Sequence, residues 1–235
     1  MVVKARLNGD AFDLETLANL FRLGDPSVGK DEVGYYVASA AFDAVLPDAV
    51  RLAEMSESVL RRMNGIARAL NDNFHPVRLA DRFTDHDGSH HVVVRPESIM
   101  VRTKVSEVVL NVDGETQLPP PSPLPGYMKA ADAQPDVAEV LALMGKDVAA
   151  LDWFDLYKVY EIVRSNVGSE SDLVAKNWVP ARDLKAFTAS ANLPTVSGDA
   201  ARHARTAAGI PKHTMDVRQA RALINFLVVA WLQSL

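Results

Sequence analysis

The residues best suited to chemistry sit near the C-terminus, where Arg202, His203, Arg205, Lys212, His213, Arg218 and Arg221 gather in a chain of net charge -5. Such a cluster can hold an anion, because guanidinium groups neutralise phosphate and a histidine titrating near neutral pH can move protons. Arg202 beside His203 supplies the two groups that phosphodiester cleavage wants, a charge neutraliser and an acid/base. In a helix, adjacent residues diverge by about 100°. This pair therefore cooperates only where the chain is irregular, or with residues from another helix or subunit. Glu161 is the third candidate: it lies in the largely apolar run 157–163, and a carboxylate there wants a cationic partner because an unpaired buried charge is costly.

Arg218, Arg221 and Asn225 are three and four residues apart, so on a final helix they share one stripe that continues into Val229 and Leu232 and must enter the core. Two arginines near a helix start oppose the positive end of the macrodipole, at about 0.3–1 kcal/mol each, and Asp216 offsets part of this. An anion is therefore expected nearby. It is either Glu161 across a helix interface or a phosphate at the helix N-terminus, contacted by Arg205, Lys212, His213, Arg218 and Arg221.

Two other motifs carry less. Residues 24–30 fit the first seven positions of a phosphate-binding loop, but Asp31 stands where a Ser or Thr hydroxyl should hold magnesium. A helical pattern also precedes the glycines and a strand-like one follows them, the reverse of what that loop needs, so an ordinary Gly/Pro turn is expected. Asp81, Asp85, His86, Asp87, His90 and His91 are of metal-ligating types, yet Asp87-Gly88 reads as a hairpin turn and no third histidine has zincin spacing. No metal site and no cofactor are assigned.

The chain of 235 residues, 48% hydrophobic and 23% charged, has the composition of an ordinary globular protein. Having no cysteine, it lacks disulfides, thiolate nucleophiles and zinc–thiolate sites, which suits a reducing compartment. The polar N-terminus has no signal-peptide apolar region, and the longest apolar run, 222–232, falls short of the roughly 18 residues of a membrane span. A cytoplasmic protein without membrane contact is expected. The acidic balance argues against broad nucleic-acid binding but leaves room for a local basic site.

The elements that must position the cluster follow from periodicity. A strand is expected at 2–7, then a helix capped by Asp13 with Leu14, Leu17, Ala18 and Phe21 inward, and a strand at 33–38. Ala49–Leu70 carries Val50, Leu52, Ala53, Val59, Leu60, Met63, Ile66, Ala67 and Leu70 as the stripe of a long amphipathic helix. Short β-rich pieces at 91–95, 99–105 and 108–112 suggest a small antiparallel sheet, and the prolines of 119–125 favour extended chain. Everything beyond reads as helical: from Pro135, over 152–167, 180–191 and 215–235. The predicted fold is α+β, with a small mixed domain over 1–117 containing antiparallel strands, a proline-rich linker over 118–131 and an all-α bundle over 132–235.

With Glu161 inside an apolar helix, and with Asn192, Arg202 and His203 before a final apolar helix, residues 135–235 resemble the HEPN class of all-α ribonuclease and nucleotide-binding domains. The resemblance implies RNA as substrate, a dimer interface and a metal-independent endoribonuclease in which His203, Arg202 and Glu161 are catalytic. In that class the arginine and histidine stand four to six residues apart. Here Arg202 adjoins His203, and Arg205 is eight residues from His213. Two function classes follow: an RNA- or phosphate-directed protein with a HEPN-like helical domain, or a non-catalytic protein-interaction or assembly module whose Arg/His cluster is structural. Their partners are RNA in the first case and a protein, including a second copy of the chain, in the other.

Overall fold

A computed structural model of the chain describes residues 3–46, 48–84, 90–92, 123–198 and 213–235. The fold is α+β, and the chain divides into two compact units, Met1–Glu57 with Val77–Gly126 and Ser58–Pro76 with Tyr127–Leu235.

The first unit is built on five antiparallel strands. β1 (Lys4–Asn8), β2 (Ser27–Asp31), β3 (Gly34–Ala38), β4 (Arg78–Thr84) and β5 (His90–Val92) lie in the order β2-β3-β1-β4-β5. Ala5 of β1 stands opposite Val37 of β3 on one side and Phe83 of β4 on the other. Because successive side chains alternate, Ala5, Leu7, Val28, Val37, Leu79 and Phe83 share one face, and all are buried. Helix α1 (Ala11–Leu20) packs on β2 and adds Leu14 and Leu17 to this core, and α2 (Ala40–Asp43) adds Phe42.

Asp10, rather than Asp13, caps α1: its side chain accepts from the Phe12 N–H at 2.9 Å. The extended backbone of Asp10 suits the cap position, whereas Asp13 is buried within the first turn. The turn expected over 24–30 is shorter than the motif, since Ser27 already begins β2. Helix α1 precedes it, Lys30 lies over the Tyr35 ring at 4.8 Å, and no helix opens after the glycines.

Helix α3 (Ala49–Leu70) has the bounds its periodicity predicts; its residues to Glu57 belong to the first unit and those from Ser58 to the second. Asp48 accepts from the N–H groups of Val50 and Arg51 and so starts it. Of the expected stripe, Leu52, Ala53, Val59, Leu60, Met63, Ile66 and Ala67 are buried, while Val50 and Leu70 at the ends are exposed.

The rest of the second unit is helical: α4 (Leu124–Ala133), of which residues from Tyr127 belong here, α5 (Pro135–Met144), a 3-10 turn (Val148–Ala150), α6 (Trp153–Val167), α7 (Glu170–Ala175), α8 (Ala181–Asn192), α9 (Pro194–Ser197) and α10 (Val217–Leu232). Helix α4 starts inside the stretch expected to be linker; Pro125 sits in its first turn, where a missing N–H costs no intrahelical bond. Asp152 caps α6, accepting from the Asp155 N–H at 3.1 Å. Among the described residues no helix is long and apolar enough to cross a membrane. The strands expected at 99–105 and 108–112, and Asp85, His86 and Asp87 with them, lie outside the described residues.

One close crossing organises the second unit. A Cβ on Gly65 of α3 would stand 2.0 Å from the Leu141 carbonyl oxygen of α5, and one on Gly145, just past α5, would stand 2.0 Å from the Arg61 carbonyl oxygen. The backbones touch where only glycine fits. Gly65→Ala should therefore lower unfolding free energy by about 1–3 kcal/mol, as overpacking does. The check is urea denaturation followed by circular dichroism; a stability unchanged from the parent would show that the crossing is looser than described.

Candidate functional site

The C-terminal cluster can be followed from the elements that hold it. Helix α10 begins at a capping box: the Gln219 N–H donates to Asp216 at 2.8 Å, and the Asp216 N–H donates to the Gln219 side chain at 3.0 Å. Apolar residues Ile224, Leu227, Val228, Trp231 and Leu232 then bury one face of α10, which packs on α6. As the stripe predicts, Asn225 is buried and Arg221 half-buried, whereas Arg218, a turn nearer the helix start, is exposed.

Arg221 turns onto backbone. Its Nη2 donates to the carbonyls of Val148 at 2.8 Å and Leu151 at 2.7 Å, and its Nε reaches Leu151 at 3.2 Å. These are carbonyls of the connection between α5 and α6, left over where the 3-10 turn ends. Burial pulls the Arg221 pKa down from its ordinary value, against the opposing charge of Asp152. In place of the expected pairing with Glu161, Arg221 caps these carbonyls.

Glu161 is half-buried on α6. It belongs with Arg164, one turn on: burial disfavours the Arg164 charge, while Tyr160, Tyr157 and Glu161 favour it and carry its pKa upward. Arg164 lies over the Tyr160 ring at 5.5 Å, and the Tyr160 hydroxyl donates to Glu170 of α7 at 2.5 Å. Burial, and then the Glu170 carboxylate, push the Tyr160 phenol well above its usual range, so the hydroxyl stays a proton donor. Asp155 is buried and accepts from Lys146 on both oxygens, at 2.8 and 2.9 Å.

Of the other expected site residues, His213 is exposed in the segment leading to α10, and Arg202, His203, Arg205 and Lys212 lie outside the described residues. Among the described residues no three His, Asp or Glu side chains gather as metal ligands.

One residue that the reading of the sequence passed over shares the work of Arg221. Arg68, buried in the last turns of α3, donates through Nη1 to the Met144 carbonyl at 3.2 Å and to that of Lys146. The signal was present: a lone cation inside the apolar run 66–70. Asn225 donates to Asp72, just beyond α3. Four carbonyls of one connection, Met144, Lys146, Val148 and Leu151, are therefore held by two arginines from distant helices.

What this arrangement can do is fix backbone. Charged donors on buried carbonyls give bonds of about 1.5–3 kcal/mol each. Compared with known proteins, the chain matches no family model, no curated protein and no solved structure. Arg221→Met should lower unfolding free energy by about 1.5–3 kcal/mol, whereas Arg218→Ala, at an exposed position, should stay within about 0.5 kcal/mol of the parent. Urea titration of the two variants checks this, and equal effects would remove the distinction drawn between them.

Proposed function

We propose that this chain is a non-catalytic partner-binding or assembly module, in which the arginines of the C-terminal region serve mainly to hold the helical unit. The observation that carries this reading is Arg221, whose guanidinium is spent on the Val148 and Leu151 carbonyls. The surroundings agree with it. Glu161, the carboxylate that acid/base chemistry would use, lies one turn from Arg164 and favours its charge; Asp155 is neutralised by Lys146; and the capping box of α10 takes up two of the four N–H groups that a phosphate at the helix start would use. The cysteine-free composition fits a cytoplasmic setting, with another protein or a second copy of the chain as partner.

A second reading is favoured by the exposure of His213 and Arg218 at the start of α10. In it the helical unit is a metal-independent, HEPN-like endoribonuclease acting on RNA through Arg202, His203 and Glu161. Incubating the purified chain with mixed RNAs beside a His203→Ala variant decides between them. The assembly reading expects the same RNA pattern from both proteins; cleavage by the parent that is lost in His203→Ala would replace it with the nuclease reading.

A further inference from the structure

Helix α10 lacks a polar outer face. Between Ala222 and Leu232 its one polar residue, Asn225, is buried and donates to Asp72, so the side chains that α10 turns outward there are all apolar. Phe226 is 62% exposed, Ala222 is exposed, and Leu223, Val229 and Ala230 are half-buried. A helix that is apolar all round belongs in an interior, yet this stripe lies at the surface of the chain.

The stripe is also symmetric. Leu223 and Val229 lie three residues either side of Phe226, Ala222 and Ala230 four, and the exposed Gln219 and Gln233 seven. Steps of three, four and seven stay on one helix face, so these residues flank Phe226 in matched pairs, apolar near it and polar at the two ends. Such a stripe can be turned end for end with its outline preserved. A two-fold interface makes every contact twice, residue i with j and j with i, and needs a surface of this self-complementary kind.

We infer that a second copy of this chain covers α10, the two helices packing antiparallel and crossing at Phe226. The two-fold operation then sets the Ala222–Leu223 step of one helix against the Val229–Ala230 step of the other. Large side chains meet small ones, and the two Phe226 rings meet near the axis. Charge agrees with this direction. Arg218 is exposed near the positive end of α10, and the last turn has no basic residue to offset the negative end; antiparallel pairing brings each Arg218 to the C-terminal end of the other helix. A lipid surface would want cations beside the stripe, whereas residues 222–232 include none.

The inference rests on the assembly reading and names its partner. A monomeric chain would sink the inference and leave that reading with a different protein, whereas RNA cleavage lost in His203→Ala would remove that reading at any oligomeric state.

The test is analytical ultracentrifugation of the full chain over a micromolar concentration series, in which the mass should rise from one chain to two. Phe226→Glu should raise the dissociation constant about thirtyfold or more, as loss of a central aromatic anchor does. Leu23→Glu, at an exposed position in the first unit, should leave it unchanged. Circular dichroism of both variants should match the parent. Ala222→Lys and Ala230→Glu should each weaken the dimer alone and restore it when mixed, because the two-fold operation brings the opposite charges together; variants that had merely failed to fold would not recover. A single-chain mass throughout, a dimer indifferent to Phe226→Glu, no recovery on mixing, or a chain that stays single and instead cosediments with phosphatidylserine vesicles would each overturn the inference.

Discussion

Buried backbone carbonyls must find donors, and in the helical unit that requirement falls on the connection between α5 and α6. After Gly145 the chain leaves one helix, makes a single 3-10 turn and enters the next, so the carbonyls of Met144, Lys146, Val148 and Leu151 point where no regular helix continues. Arg68 takes the first two and Arg221 the last two. Arginine suits the task because its guanidinium carries five donors in a rigid fork and stays protonated across the physiological range, so the clamp does not depend on pH there.

Other features of the unit follow from this. Arg68 reaches past the end of α5 only because α3 and α5 approach at Gly65 and Gly145, where a side chain would collide with backbone. Lys146, whose carbonyl Arg68 holds, turns its own ammonium onto the buried Asp155, and Asp155 in turn donates its N–H to the cap residue Asp152. Asn225, one helical turn from Arg221, fastens α10 to Asp72. The sheet unit solves its polar problem differently: Arg6 and Lys4 reach across β3 to Asp31 and gather over Tyr36, on the face opposite the buried Ala5, Leu7, Val28, Val37, Leu79 and Phe83.

Much of the architecture was legible in the sequence because periodicity and caps are local. Helix α3 runs between the residues its apolar stripe marked, Pro135 opens α5, and α6 fills the span expected over 152–167, with Asp152 as its cap. Local signals also have short range. The cap of α1 moved from Asp13 to Asp10, and α4 began among prolines that read as linker, since a proline in the first turn leaves a helix intact. The association of Ser58–Pro76 with the helices after Tyr127 rests on contacts between residues more than 70 positions apart, which no window along the chain contains. The site was harder for a further reason. The stripe showed that Arg221 must enter the core and that something electron-rich should meet it; a carboxylate was expected because side chains can be read from a sequence. A carbonyl carries no residue identity, so a cation satisfied by backbone leaves no mark at its partner's position.

The claim that Arg68 and Arg221 act as one clamp is tested most directly by a double-mutant cycle of Arg68→Met and Arg221→Met under urea denaturation. If both arginines hold the same connection, removing either loosens the segment the other grips. The two losses should then fail to add, by about 0.5 kcal/mol or more. Losses that sum to within about 0.3 kcal/mol would show two unrelated contacts and contradict the account.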